Sequence, residues 1–312
     1  MNIKLILDSR MYKISPIEMR RRFKNLIMSL NEVSFLHSII DIPLEFLIHT
    51  QFAEHETFCS AQIVLCGTLD DSQVALSCEG NEEIATAAIE CDCDKMIYDF
   101  VNALNIVSYG AFPFNGATIL CNSHSCSVSG VLNYFCDFCE LYGDIADFPK
   151  CELDFLSVWK WLGQKTHFFD GMSQSSIDRA LNAYSHTFCN DSYSAFFYSM
   201  VSLEALYKLE YKNIQYQIRE NSYKLLAPKY SKNKYKQLFN SIYSFRSQFL
   251  HGQLDFPSRQ MINMSTDEMD AFDEKYMEEM RLVLAILIST FQKLIMHNLT
   301  SIKPLLKTAE SK

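Results

Sequence analysis

The hydrophobic period of this chain changes once, and that change limits the fold to two unlike parts. Up to about residue 150, short apolar runs in strand-like alternation are mixed with helical stretches. Beyond Asp147-Phe148-Pro149-Lys150 a period near 3.6 runs almost unbroken. The expected architecture is an α+β domain over residues 1–150 followed by an all-α domain over 151–312. Nine Gly and seven Pro in 312 residues leave little room for loop-dominated or disordered structure, and 48% hydrophobic residues are enough for a real core in each part.

In the first part, Ile3–Leu7, Ser60–Leu65, Val74–Ser77 and Ala117–Cys121 read as strands. Pro16–Leu30 reads as a helix opened by Ser15, with Pro16 at its first position. Arg20-Arg21-Arg22 on that helix reads as a solvated face. Asp94–Tyr109 reads as a second helix, with Met96, Phe100, Leu104 and Val107 on one side, and the segment from Glu82 to Asp99 is acidic. In the second part the helical segments are Ser173–Phe188, Tyr193–Glu210, Asn213–Ala227 (stopped by Pro228), Lys232–His251 (stopped by Gly252) and Met269–Asn298 (started near Thr266).

The apolar run at the N-terminus is too short for a signal peptide. The most apolar helix, Leu282–Met296, is interrupted by Gln292 and Lys293 and falls short of a membrane span. Eleven cysteines without an export signal read as reduced, mostly buried thiols, so a cytoplasmic location without membrane attachment is expected.

A net charge of −9 argues at first against a nucleic-acid partner, but the charge is unevenly placed. From Ala205 to Gln260 there are ten Lys/Arg against three Asp/Glu, Lys232, Lys234 and Lys236 among them. Phosphate binding needs local rather than global positive charge. Tyr207, Tyr211, Tyr216, Tyr223, Tyr230, Tyr235 and Tyr243 are interleaved with these cations and could stack on unpaired bases. The same stretch ends in Arg246-Ser247-Gln248-Phe249-Leu250-His251 just before Gly252. Arg can grip a phosphate in a planar fork, and His can move a proton near neutral pH, a pairing suited to phosphodiester cleavage. Five residues turn a helix by about 140°, so the two side chains of one helix do not converge. A plainer reading is also open, in which Arg246 pairs with a carboxylate and His251 occupies a helix C-terminus.

Four segments carry a resemblance: Ile177–Tyr184, Phe196–Leu206 with its Leu203-Glu204-Ala205-Leu206, Ile218–Leu226, and Ile242–Gly252 with its Arg-Ser-x-x-x-His-Gly helix end. Their order resembles the HEPN superfamily, specifically its Apea-like branch, over roughly residues 155–300. The resemblance implies a helical bundle that homodimerises, with the Arg-x4-His motifs of two subunits meeting at the interface. It implies a metal-independent endoribonuclease, of a kind found as toxins and effectors in antiphage defence, with an antitoxin or a phage-derived trigger as a further partner. Arg246 and His251 become the catalytic pair, Lys232, Lys234 and Lys236 RNA contacts, and Glu204 a carboxylate that orients Arg246 or supports His251. The residue after the Arg is often Asn in the wider superfamily; Ser247 stands there and can still hydrogen-bond. Other members have lost activity, and a non-catalytic module that binds RNA or a partner protein is the alternative.

No cofactor motif is present: no Gly-rich phosphate loop, His-Glu-x-x-His or Gly-x-Ser-x-Gly occurs, and neither cofactor nor metal is expected. Cys136 and Cys139, with Cys91/Cys93 and Cys121/His124/Cys126 upstream, could compose a zinc site, but their apolar setting favours buried thiols. His55 between two glutamates reads as surface. Trp159 and Trp161 are expected to pack between the two domains. The acidic first domain reads as a sensor or regulatory module whose ligand the residues do not identify.

Overall fold

The computed structural model describes residues 1–12, 17–108, 116–122, 124–128, 148, 151–188, 193–210, 212–258 and 266–310. The chain divides into two compact units, Met1–Tyr142 and Gly143–Lys312. The expected helix start at Ser15 and Pro16, and Cys136 and Cys139, lie outside the described residues.

The first unit is built on a six-stranded antiparallel sheet of β1 (Asn2–Tyr12), β2 (Ser34–Ile39), β3 (Ile42–Glu54), β4 (Phe58–Thr68), β5 (Gly116–Cys121) and β6 (His124–Val128), in the order β2-β3-β4-β1-β5-β6. Alternation decides which face is buried. Ile3, Leu5 and Leu7 of β1 align with Ile63 and Leu65 of β4, Ile48 of β3 and Ile119 of β5, all buried on one face. Helices α1 (Ile17–Leu30) and α3 (Glu82–Val107) cover that face. Phe23 of α1 meets Phe52 of β3 at 5.8 Å, and Phe100 of α3 stacks on Phe35 of β2 at 6.1 Å. Phe23, Leu26, Ile27 and Leu30 give α1 one apolar stripe. Arg20 departs from the expected solvated face: its Nε is buried without a hydrogen-bond partner among the described residues.

The unit differs from the sequence reading elsewhere too, strand β6 being one element that it did not name. Val74–Ser77 is not a strand but the end of a short helix, α2 (Asp71–Ser77), whose N-cap Asp70 accepts from the Ser72 N–H at 2.9 Å. A four-residue apolar run cannot distinguish the two, and the cap decides it. Helix α3 begins twelve residues before Asp94, at Glu82, because the Asn81 side chain caps the Glu83 and Ile84 N–H groups and two acidic residues occupy its first turn. The β2–β3 hairpin turns through Ile40 and Asp41, both at positive φ (53° and 59°). That is the two-residue turn favoured by sheet twist, normally written Asn-Gly, made here by a β-branched residue whose N–H donates to Asp92 Oδ2 at 2.6 Å.

The second unit is mostly helical: α4 (Phe155–Lys165), α5 (Ser176–Ser185), α6 (Ser194–Tyr207), α7 (Ile214–Leu226), α8 (Lys232–Leu250), α9 (Asp267–Met296) and α10 (Lys303–Glu310). Helix α9 is central. Val283 to Gln292 are buried without a break, and α4, α6, α7 and α8 all pack on it. The Ser202 hydroxyl of α6 donates to the Ala180 carbonyl of α5 at 2.8 Å, so small residues bring those helices close. Both tryptophans make contacts within this unit. Trp159 lies 4.6 Å from the Phe169 ring, and Trp161 Nε1 donates to the Leu299 carbonyl at 3.1 Å. Among the described residues no helix is long and apolar enough to cross a membrane.

Asp178 ties the start of α5 to the preceding loop. Fully buried, it accepts from the N–H groups of His167, Gln174 and Ser175 and from the Ser175 hydroxyl, at 2.8–3.1 Å. Burial opposes its charge, but these hydrogen bonds outweigh burial and hold the carboxyl below its ordinary 3.8. A depressed carboxyl contributes stability that is complete above its unfolded-state value and is lost as the pH falls through the folded one. Asp178→Asn is therefore expected to cost about 2–3 kcal/mol at pH 7, with a shallower loss of Tm below about pH 4 than in the wild type. Replacing Ile40-Asp41 by Asn-Gly is expected to stabilise the first unit by about 1 kcal/mol, read as a rise in its Tm.

Candidate phosphate-binding site on the helical unit

Helix α8 starts at the Ser231 cap, whose hydroxyl accepts from the Lys234 N–H, and buries Tyr235, Phe239, Ile242 and Phe245 as an inward stripe. It stops as the sequence predicts. The Gly252 N–H bonds the Phe249 carbonyl at 3.2 Å and the Gln253 N–H bonds the Gln248 carbonyl at 2.7 Å, with Gly252 at φ +65°. This paired closure needs a left-handed residue after the cap, which glycine adopts without strain. His251 is the capping residue and is exposed. The chain then folds back, and Phe256 stacks on Phe249 at 4.7 Å.

Helices α6 and α8 meet through aromatic and charged side chains. Phe196 meets Phe245 at 5.1 Å, and Phe197 meets Phe249 at 4.7 Å. Two turns farther along α6, Glu204 Oε1 lies 3.3 Å from Arg246 Nη2. Arg246 and Glu204 are partly exposed, at 34% and 26% of their side-chain areas. The contact is an ion pair between Nη2 and the carboxylate. The carboxylate pairing of the plainer reading is present, and its partner is the residue that the resemblance names. Ser247 is exposed beside Arg246.

The basic stretch is less open than its composition suggested. Lys232 is exposed but bound to Glu220 Oε2 at 2.8 Å, and Arg219 holds the other Glu220 oxygen at 3.0 Å. The hydrogen bond from Lys232, then that from Arg219, keep the Glu220 carboxyl below its usual range despite some burial. Lys234 and Lys236 are exposed on α8. The tyrosines do not form a stacking row. Tyr207 and Tyr235 are buried, and Tyr223, Tyr230 and Tyr243 are half-buried. Tyr216 stands out at 58% exposure, with Arg219 5.4 Å from its ring centroid. Tyr211 lies outside the described residues. Burial could have been anticipated for Tyr235, which shares the inward stripe with Phe239 and Ile242 at helical spacing.

Among the described residues no group of three or more His, Cys, Asp or Glu could hold a metal ion. Burial, then the nearby Cys121, push the Cys93 thiol up to about 12, so it is an inert thiol. His55 is exposed, stacked on Phe58 at 4.2 Å. His167 pairs with Asp170 at 3.1 Å, His186 stacks on Tyr198 at 4.6 Å, and His297 caps α9. Comparison with protein-family models, curated proteins and solved structures returns no match.

Because the Glu204–Arg246 pair is partly exposed, it contributes little to stability. Single substitutions Glu204→Ala and Arg246→Ala are each expected to destabilise by about 1 kcal/mol or less. A double-mutant cycle by thermal denaturation is expected to give a coupling of roughly 0.5 kcal/mol.

Proposed function

We propose that the helical unit is a HEPN-type, metal-independent endoribonuclease domain acting through Arg246 and His251. The observation that carries this reading is the state of Arg246. One guanidinium nitrogen is held by Glu204, the side chain remains partly exposed, and it makes no hydrogen bond among the described residues. An arginine anchored on one edge keeps its other donors for a phosphate. His251 stands exposed at the end of the same helix, five residues on.

In the proposed reaction the RNA supplies its own nucleophile. His251 accepts the 2′-hydroxyl proton, the 2′-oxygen attacks the adjacent phosphorus, and the 5′-oxygen leaves and takes up a proton. Arg246 stabilises the charge that builds on the phosphoryl oxygens. The products are a 2′,3′-cyclic phosphate and a 5′-hydroxyl end. Ser247 offers one more polar group beside Arg246, and Lys234 and Lys236 offer charge to the phosphates farther along α8. Lys232, already bound to Glu220, contributes less. A second copy of the chain brings its own motif to complete a composite site, since one helix does not turn both side chains to the same point. The biological setting that fits is a toxin or effector in antiphage defence, restrained by an antitoxin or by the first unit until a phage-derived trigger arrives.

The test is cleavage of end-labelled RNA in EDTA. Wild type is expected to cut RNA and leave DNA of the same sequence intact, because DNA lacks the 2′-hydroxyl. His251→Ala is expected to lose on the order of 10²–10⁴ in rate at unchanged Tm. Wild-type protein that binds RNA without cutting it would instead establish a non-catalytic binding module, and equal cleavage of DNA would sink the mechanism.

A further inference from the structure

Beside the Glu204–Arg246 pair lies a polar group that the folded unit leaves unsatisfied. The hydroxyl of Tyr243 is buried and has no hydrogen-bond partner among the described residues. The fully buried tyrosines of α6 and α8 are served. The Tyr207 hydroxyl meets Thr290 Oγ1 at 2.5 Å, and the Tyr235 hydroxyl meets Ser222 Oγ at 2.7 Å. A hydroxyl withdrawn from water with no partner costs about 1–3 kcal/mol, so an orphan one calls for a reason. Tyr243 precedes Arg246 by three residues on α8, which puts both on one face of the helix. Its ring is fixed against Phe239, 5.4 Å away, so the hydroxyl is held in place from behind.

We infer that the Tyr243 hydroxyl is a second donor of the Arg246 anion site, so that a phosphate oxygen held by the open edge of the guanidinium also accepts the Tyr243 O–H. The inference rests on Arg246 being the phosphate-binding group and adds the residue that completes its grip. Three groups then have complementary duties. Glu204 pairs with Nη2, Arg246 supplies the charge and its remaining N–H donors, and Tyr243 adds a neutral donor from the buried side. Burial first, and then the Glu204 carboxylate, keep the phenol protonated far above the physiological range against the opposing effect of Arg246. It is therefore a donor and not a base. An oxyanion, which only accepts, is the ligand class that such donors suit; a cation or an apolar group would leave the hydroxyl as it is. Tyr243 is a binding and positioning residue, distinct from the proton-moving role of His251.

The experiment compares full-length wild type, Tyr243→Phe and Arg246→Ala in three measurements: Tm without ligand, the rise in Tm on titration with inorganic phosphate, and kcat and KM for cleavage of one RNA. Tyr243→Phe removes only the hydroxyl. It is expected to fold with a Tm equal to or a few degrees above wild type, because it relieves a buried unsatisfied group. Its apparent phosphate affinity is expected to fall about 10–100-fold, the worth of a hydrogen bond to a charged acceptor. Arg246→Ala is expected to abolish the phosphate response. A phosphate response that Tyr243→Phe keeps in full and Arg246→Ala loses would overturn the inference and leave the ribonuclease reading intact. A response lost in both variants, with no RNA cleavage by wild type, would support the inference while removing the ribonuclease reading. Wild-type protein indifferent to phosphate would overturn the inference outright.

Discussion

The helical unit depends on the unbroken burial of Val283 to Gln292 in α9, and the helix satisfies its buried polar groups on its neighbours. Thr290 Oγ1 both donates to the Ile286 carbonyl and meets the Tyr207 hydroxyl of α6. The Lys293 ammonium, its proton affinity lowered by burial, bonds the Leu225 carbonyl at the end of α7. Glu279, raised by burial against the hydrogen bond that charges it, receives the Ser241 hydroxyl of α8. Each contact fixes one surrounding helix at one height along the central one. In a water-poor interior an unmade contact of this kind costs more than the made one yields, so the positions of α6 and α8 are sharply set. Glu204 and Arg246 inherit their separation from that arrangement.

The helical elements were legible because their ends are written in residues with one physical meaning. Ser231, Thr266 and Ser175 accept from backbone N–H groups at helix starts, Pro228 cannot continue α7, and Gly252 adopts the left-handed turn that ends α8. In the first unit the signals were weaker. The opening turns of α3 bury Ala85, Ile89 and Cys93, small or thiol side chains that give a faint apolar period among acidic neighbours. The β2–β3 hairpin hides behind Ile40, a residue that avoids positive φ in most settings.

The site was legible only in part. The exposure of Arg246 and His251 at a helix end follows from spacing and from Gly252. The pairing of Arg246 with Glu204 joins positions 42 residues apart on two helices, and no period within either helix encodes it. Composition overstated the basic face, because it counts Lys232 and Arg219 as free charge when Glu220 holds both. Composition likewise counted Tyr207 and Tyr235 as aromatic surface, whereas inward spacing along their helices makes them core.

The turn at Gly252 has a consequence for how anything arrives at this helix end. Two backbone hydrogen bonds and the Phe249–Phe256 stack hold the returning chain against the helix, so His251 sits at the apex of a closed bend. A histidine on a loose tail would have to be ordered at each encounter, and that loss of freedom would weaken every complex it entered. Here the ordering is completed when the chain folds. On the function proposed above, an incoming phosphate meets a histidine whose backbone is already fixed, and binding adds no further cost of ordering it.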